Sequence, residues 1–247
     1  MVAAMRQEVR PVLQRVGRSA RGTLVGCATW RFTLSGFDCR LVLCGIGIER
    51  ARAAAAALIE TWKPGLLVSF GIAGGVEEDL QVGDVVIARE AAFLESEIAT
   101  QRLPLAQPLA RARDAAGRVL RERGATLYEG STVTTRGSQA LDISKGVPPR
   151  PVLDMETHGV AREAAARGIP LLAVRALSDS AREPLPFDLA AFTDSEYHFH
   201  TGRLLLHIAS HPRLLPRLLM LRRNTMLAAE NAAVAVFALL AALNEGD

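Results

Sequence analysis

The chain is 247 residues long, 49% hydrophobic and 22% charged, which suits one folded domain with a sizeable core. Its net charge of +3 is too small to mark a nucleic-acid binder, and Cys27, Cys39 and Cys44 form no CxxC or His-partnered spacing, so they indicate neither a disulfide framework nor a zinc site. No uninterrupted apolar run reaches the ~18 residues of a membrane span, the N-terminus has no signal-peptide pattern, and a cytoplasmic setting is the expectation.

Met1–Ala4 is a brief apolar start, followed by a helix over Met5–Val16 with Val9, Leu13 and Val16 on one stripe. Glu8 falls in its first turn and reads either as a carboxylate matched to the helix dipole or as a functional group. Thr23–Leu34 and Phe37–Cys44 read as strands joined at Ser35-Gly36. Cys44-Gly45-Ile46-Gly47 then leads into an alanine-rich helix over Ile48–Trp62. The GxG lacks the third glycine of a dinucleotide fingerprint, because Arg50 stands there, so no nicotinamide or flavin cofactor is expected.

Leu66–Phe70 is a buried strand, and Gly71-Ile72-Ala73-Gly74-Gly75 reads as a loop nearly bare of side chains, where amides such as those of Ala73 and Gly74 can approach a ligand. Leu80–Ala88 is a further strand, residues 100–124 hold an Arg-rich helix, Tyr128–Thr135 is a strand, and Gly137–Pro151 is a loop. Val152–Asp179 reads as strand, helix, strand. The first strand stops at Asp154-Met155-Glu156, the helix runs to about Arg167, and Leu171–Leu177 ends at Ser178-Asp179.

Beyond Asp179 a polar loop precedes a helical C-terminal extension over residues 196–247. Within it, Arg203–Arg223 is leucine-rich and basic, broken by Pro212 and Pro216, and suits a peripheral contact with an anionic membrane. Asn224–Leu243 suits packing on the sheet or a subunit contact. His198, His200, His207 and His211 lack metal spacing, and the chemistry below needs no metal. The alternation of strands and helices predicts an α/β fold, a single domain over 1–247 with a mixed, mainly parallel sheet flanked by helices.

In an open parallel sheet, ligands sit beyond the carboxyl ends of the strands. If the glycine segment, the Asp-Met-Glu turn and Ser178-Asp179 converge there, the pocket has a backbone wall and two separated carboxylates. That equipment suits cleavage of a glycosidic bond, one acid serving the leaving group and another carboxylate, Glu8, activating water.

Five ordered segments then carry a family resemblance: Gly45-Ile46-Gly47, residues 71–75, Val82-Gly83-Asp84-Val85-Val86, Asp154-Met155-Glu156 and Arg175-Ala176-Leu177-Ser178-Asp179. Together they resemble the nucleoside phosphorylase and nucleosidase superfamily over residues 1 to about 188, most of all the methylthioadenosine/S-adenosylhomocysteine nucleosidases. The resemblance implies that Asp179, supported by Ser178, protonates purine N7, that Glu156 binds ribose hydroxyls with Met155 beneath the sugar, and that Glu8, in Ala4-Met5-Arg6-Gln7-Glu8-Val9, activates water. It places Phe187, in Leu185-Pro186-Phe187-Asp188, on the base, and Thr134 and Thr135 where relatives contact the purine, without the aromatic expected there for adenine.

Phosphorolytic relatives hold phosphate with an arginine before the glycine segment and a hydroxyl within it. Ser69 and Ile72 occupy those places, which favours water over phosphate unless Arg6 or another arginine compensates. The Asp-Met-Glu turn and the basic extension also resemble the hopanoid-associated phosphorylases, which implies a phosphorolytic alternative acting on the lipid adenosylhopane. A nucleoside-binding protein without activity is the non-enzymatic alternative, and relatives imply a homo-oligomer, a dimer.

Overall fold

The computed structural model describes residues 1–95, 98–136, 148–179 and 215–244. Strands β5 (Leu67–Gly75) and β10 (Leu171–Asp179) run parallel at its centre, with Leu171 opposite Leu67 and Leu177 opposite Ala73. Residues of opposite parity on these strands enter different cores, because side chains alternate across a sheet. Val68, Phe70, Leu172 and Val174 face one cluster, while Leu67 and Leu171 face another.

The ring β10, β6 (Val85–Glu95), β8 (Leu127–Thr134), β9 (Pro151–Asp154) and β5 closes through the pairing of β5 with β10. From β5 the sheet extends through β1 (Val2–Ala3) to β4 (Phe37–Leu43), β3 (Cys27–Leu34) and β2 (Ala20–Leu24), and β7 (Ile98–Pro104) pairs with β6. Helices α2 (Ile48–Trp62) and α4 (Thr157–Ala166) cover one face. Helices α1 (Arg6–Val16), α3 (Ala110–Glu122) and α5 (Leu215–Asn244) cover the other. The expected α/β domain with a mixed sheet flanked by helices is therefore present.

Several boundaries differ from the sequence expectation. The strand expected over 23–34 is split by Val25 and Gly26, both at positive φ (46° and 77°), the geometry that joins two twisted strands by a tight turn. Residues 71–75 are not a loop: they extend β5, because β10 and β9 supply ladder partners on either side. The strand expected from Leu80 begins at Val85, because the Asp84 carboxylate accepts the N–H of Gln81 (2.9 Å) and of Thr126 (2.8 Å) and folds residues 81–84 into a turn. Residues 98–104, assigned in part to a helix, form β7 against β6.

Pro216 does not interrupt α5. It is the second residue of that helix, where a missing N–H costs nothing. The stretch Leu219–Asn244 is long and apolar enough to cross a membrane by length and composition, yet 61% of its most apolar window is buried in the fold, as expected of a core helix. Ala228, Ala232, Ala235, Val236 and Leu239 carry that packing.

Candidate active site

Glu8 occupies the third position of α1, from which a carboxylate folds back over the first turn. Its Oε2 accepts the N–H of Ala4 and of Met5, each at 2.8 Å, and its Oε1 accepts the N–H of Ile72 on β5 at 2.9 Å. The residue is 3% exposed, so it is no surface carboxylate. Gly71 makes room for it, since a Cβ there would stand 2.3 Å from Oε1. Burial pushes Glu8 above its ordinary value, opposed by the three amides and by the charge of Arg175.

Arg175 lies under this group at the centre of a buried hub. Its Nε donates to Asp154 Oδ2 (2.8 Å), Nη1 to the carbonyl of Val174 (3.1 Å), and Nη2 to Ser69 Oγ (2.9 Å) and Thr157 Oγ1 (2.6 Å). Asp154 is occupied just as fully: Thr134 Oγ1 donates to it at 2.6 Å, Thr157 Oγ1 donates to its other oxygen, and the N–H groups of Glu156 and Thr157 lie at 3.3 Å. Asp154 and Thr134, expected at the substrate, are thus committed to Arg175, to each other and to the start of α4. A carboxylate buried beside a guanidinium is held there by the ion pair.

Glu156 is the residue before α4, and its Oε1 accepts the N–H of Gly47, the residue before α2, at 2.9 Å. The Met155 N–H lies 3.3 Å from Oε2, and the Met155 side chain is half-buried. Burial, together with the negative charges of Asp154 and Glu8, pushes Glu156 up to about 8. Glu8, Glu156, Arg175, Ser69 and Cys44 line one small pocket.

Asp179 ends β10 next to Gly74, beyond an irregularity in the ladder after Leu177. A Cβ on Gly74 would stand 3.0 Å from Asp179 Oδ2. Ser178 Oγ donates to Asp179 Oδ1 at 2.7 Å, with the carbonyl of Ala73 more distant at 3.5 Å. Burial raises Asp179 above its ordinary value, and the Ser178 hydroxyl partly opposes it. Glu8 meets β5 at Gly71 and Ile72, and Asp179 meets it at Gly74, so two or three residues, ~7–10 Å of strand, separate the contacts. That span leaves room for a sugar between an acid and a water-activating base.

Thr135 is buried, and its N–H bonds the carbonyl of Asp154 at 2.7 Å. His158 is likewise buried, with Nε2 3.0 Å from the carbonyl of Gln101 and its ring on Phe93, consistent with a structural role. Phe187 lies outside the described residues, and among those described no cluster of metal-binding side chains occurs. Sequence reasoning assigned no role to Arg175, although the residue stands in the Arg-Ala-Leu-Ser-Asp segment. The available signal was parity: Arg175 shares a strand face with Leu171, Ala173 and Leu177, and a lone cation on a buried strand needs an anion, which Asp154 supplies.

A closed mixed sheet with helices on both faces, and carboxylates gathered at the carboxyl ends of β5 and β10, defines an α/β enzyme scaffold for a small polar ligand. The chain belongs to the Phosphorylase superfamily, which residues 1–210 match. It is 25% identical over 214 residues to the 5'-methylthioadenosine/S-adenosylhomocysteine nucleosidase of Shewanella baltica, spanning 80% of this chain and 91% of the relative. In fold it is similar to the Neisseria meningitidis nucleosidase of the same name, crystallised with methylthio-immucillin-A (TM-score 0.69, 20% identity, 98% of this chain and 97% of that one). It is also similar to the Colwellia psychrerythraea nucleosidase in complex with adenine (TM-score 0.69, 19% identity, 97% and 92%).

Proposed function

We propose that the chain cleaves the N-glycosidic bond of a purine nucleoside, with adenine as the base and water as the nucleophile. The observation that carries this is the convergence of Glu8, Glu156 and Asp179 on one end of β5 and β10. Relatives named for adenine nucleosides, and a similar structure holding adenine, support the substrate class.

Asp179 protonates the departing base, and burial raises its pKa in the direction that role needs. Glu156 accepts the ribose hydroxyls. Bond cleavage leaves positive charge on the sugar, and the buried Glu8 carboxylate, when ionised, is matched to that charge. Oε1 of Glu8 takes a single N–H and keeps a lone pair for water. Four of the five N–H groups of Arg175 are engaged within the hub.

The same contacts argue against phosphate. The Ala4, Met5 and Ile72 amides that could cradle an anion already hold a carboxylate, and Arg175 is paired with Asp154. A phosphate would meet two carboxylates and few free donors. Release of free adenine in phosphate-free buffer tests the proposal, and strict phosphate dependence with ribose-1-phosphate as product would overturn hydrolysis. Asp179→Asn should lower kcat by about 10²–10⁴. Near-wild-type turnover by that variant would remove Asp179 from the mechanism.

Two partners are proposed on the same footing. One is a second copy of the chain, checked by light scattering, where a monomer at working concentration would count against it. The other is an anionic membrane surface, met by the exposed Leu219, Met220, Arg222 and Arg223 at the start of α5. Residues 203–214 of the basic stretch lie outside the described residues. Failure to sediment with anionic vesicles at low salt would remove the membrane contact.

A further inference from the structure

The site described above uses no thiol, yet one lines it. Cys44 follows β4, and it is buried with its S–H shared between the carbonyls of Ala3 (3.3 Å) and Gly45 (3.2 Å). Cys27 opens β3 and is partly exposed. The last registered pair of β3 and β4 is Ala28 with Leu43, so the next step along the antiparallel ladder sets Cys27 opposite Cys44. Directly opposed residues have Cα atoms about 4.5–5.5 Å apart and project to the same face. A disulfide spans Cα separations of ~4.4–6.8 Å. Both side chains join the same apolar cluster under α2 and α4, and Cys27 lies close enough to act electrostatically on Cys44. Both are free thiols here.

We propose that Cys27 and Cys44 are a reversible thiol–disulfide site that takes low-molecular-weight disulfides as its oxidant and, when closed, unseats Glu8 and Glu156. The more exposed Cys27, as thiolate, attacks one sulfur of the small disulfide. Its S–S bond breaks, a mixed disulfide forms on Cys27, and one small thiol leaves. Cys44 then gives up its proton and attacks the Cys27 sulfur, releasing the second small thiol. Two protein thiols are oxidised and one small disulfide is reduced to two thiols.

Burial pushes the Cys44 thiol up, with Glu156, Glu8 and Cys27 adding to the effect, so the second step is the slow one. Closing the bond draws the Cys44 sulfur away from the carbonyls of Ala3 and Gly45. Each of those residues lies within two positions of an amide that seats a carboxylate: Ala4 for Glu8, Gly47 for Glu156.

The experiment incubates the full chain with excess oxidised glutathione and follows intact mass, peptide mapping and nucleoside cleavage. Expected are loss of two hydrogens, a Cys27–Cys44 cross-linked peptide, a fall in cleavage of about ten- to a hundredfold, and recovery with dithiothreitol. Cys27→Ser should cleave at the wild-type rate and resist the oxidant. An unchanged mass, or a glutathione adduct on Cys27 that never resolves, overturns the site. A cross-link with unchanged cleavage overturns the unseating. The activity effect rests on the nucleosidase proposal, but the cross-link does not: a chain that cleaves no nucleoside in either state still reports on the disulfide by mass.

Discussion

Glu156 meets the N–H of Gly47 on one side and the negative charges of Asp154 and Glu8 on the other, and burial with those charges lifts it to about 8. In an unfolded chain it titrates near its ordinary 4.5. Between those values the unfolded state releases a proton that the folded state keeps, so this contribution to stability is present below about 4.5 and is lost as pH rises through about 8. Glu156→Gln cannot ionise and should escape that loss. Its Tm relative to wild type should rise from pH 5 to pH 9, by roughly 2–4 °C for each kcal/mol of that loss. A Tm difference that is flat with pH would show that Glu156 ionises normally. The same logic applied to catalysis gives a bell-shaped profile. In the proposed mechanism Glu8 is ionised and Asp179 protonated, and both are raised by burial, so the acid limb of kcat/KM should lie above 4.5. Glu8→Gln should lower kcat by about 10²–10⁴ and abolish that limb.

At the scale of elements, β5 places the proposed catalytic groups. It borders β1 on one side and β10 on the other, and its glycines allow carboxylates from α1 and β10 to lie against its backbone. Gly71 is not at positive φ, so alanine suits its backbone but not its surroundings, since the new Cβ would stand 2.3 Å from Glu8 Oε1. Gly71→Ala should therefore fold, with a loss of about 1–3 kcal/mol from overpacking, while displacing Glu8 and lowering kcat by roughly 10². Circular dichroism with steady-state kinetics checks this, and full activity would mean that Glu8 moves without consequence. This element also shows what was legible in the chain. Composition identified Gly71–Gly75 as a place of close backbone approach, but glycines read locally as a loop, because their ladder partners lie some 80 to 100 residues later, at Val152–Leu153 and Arg175–Asp179. The split at Val25-Gly26 was missed because an alternating apolar pattern spans it. Glu8, Glu156 and Asp179 were singled out through ordered motifs. The buried hub beside them was not, because the contacts of Arg175 with Ser69, Asp154 and Thr157 join residues that no local window holds.

Across the whole molecule, α5 ties the two ends of the barrel together. Midway along it Leu227 packs on Gly83, whose N–H bonds the carbonyl of Leu177, two residues before Asp179. At its end Asn244 lies against Gly36 in the β3–β4 turn. Asn231 is the polar lock on this helix: fully buried, it donates from Nδ2 to the carbonyl of Gly83 at 2.8 Å and accepts from Arg123 Nε at 2.8 Å. Asn231→Ala would strand a buried carbonyl and remove a partner from Arg123, at a cost of about 1–3 kcal/mol. Tm should fall by roughly 2–4 °C for each kcal/mol lost. Cleavage at 25 °C should nevertheless stay within about twofold of wild type, because β10 remains held by β5 along its length and by β6 at Val174–Ala176, independently of Gly83. Urea unfolding and assays well below the transition separate the two effects. A large loss of activity in protein that is still fully folded would mean that the end of β10, and Asp179 with it, depends on α5 through Gly83, making the helix part of the catalytic framework.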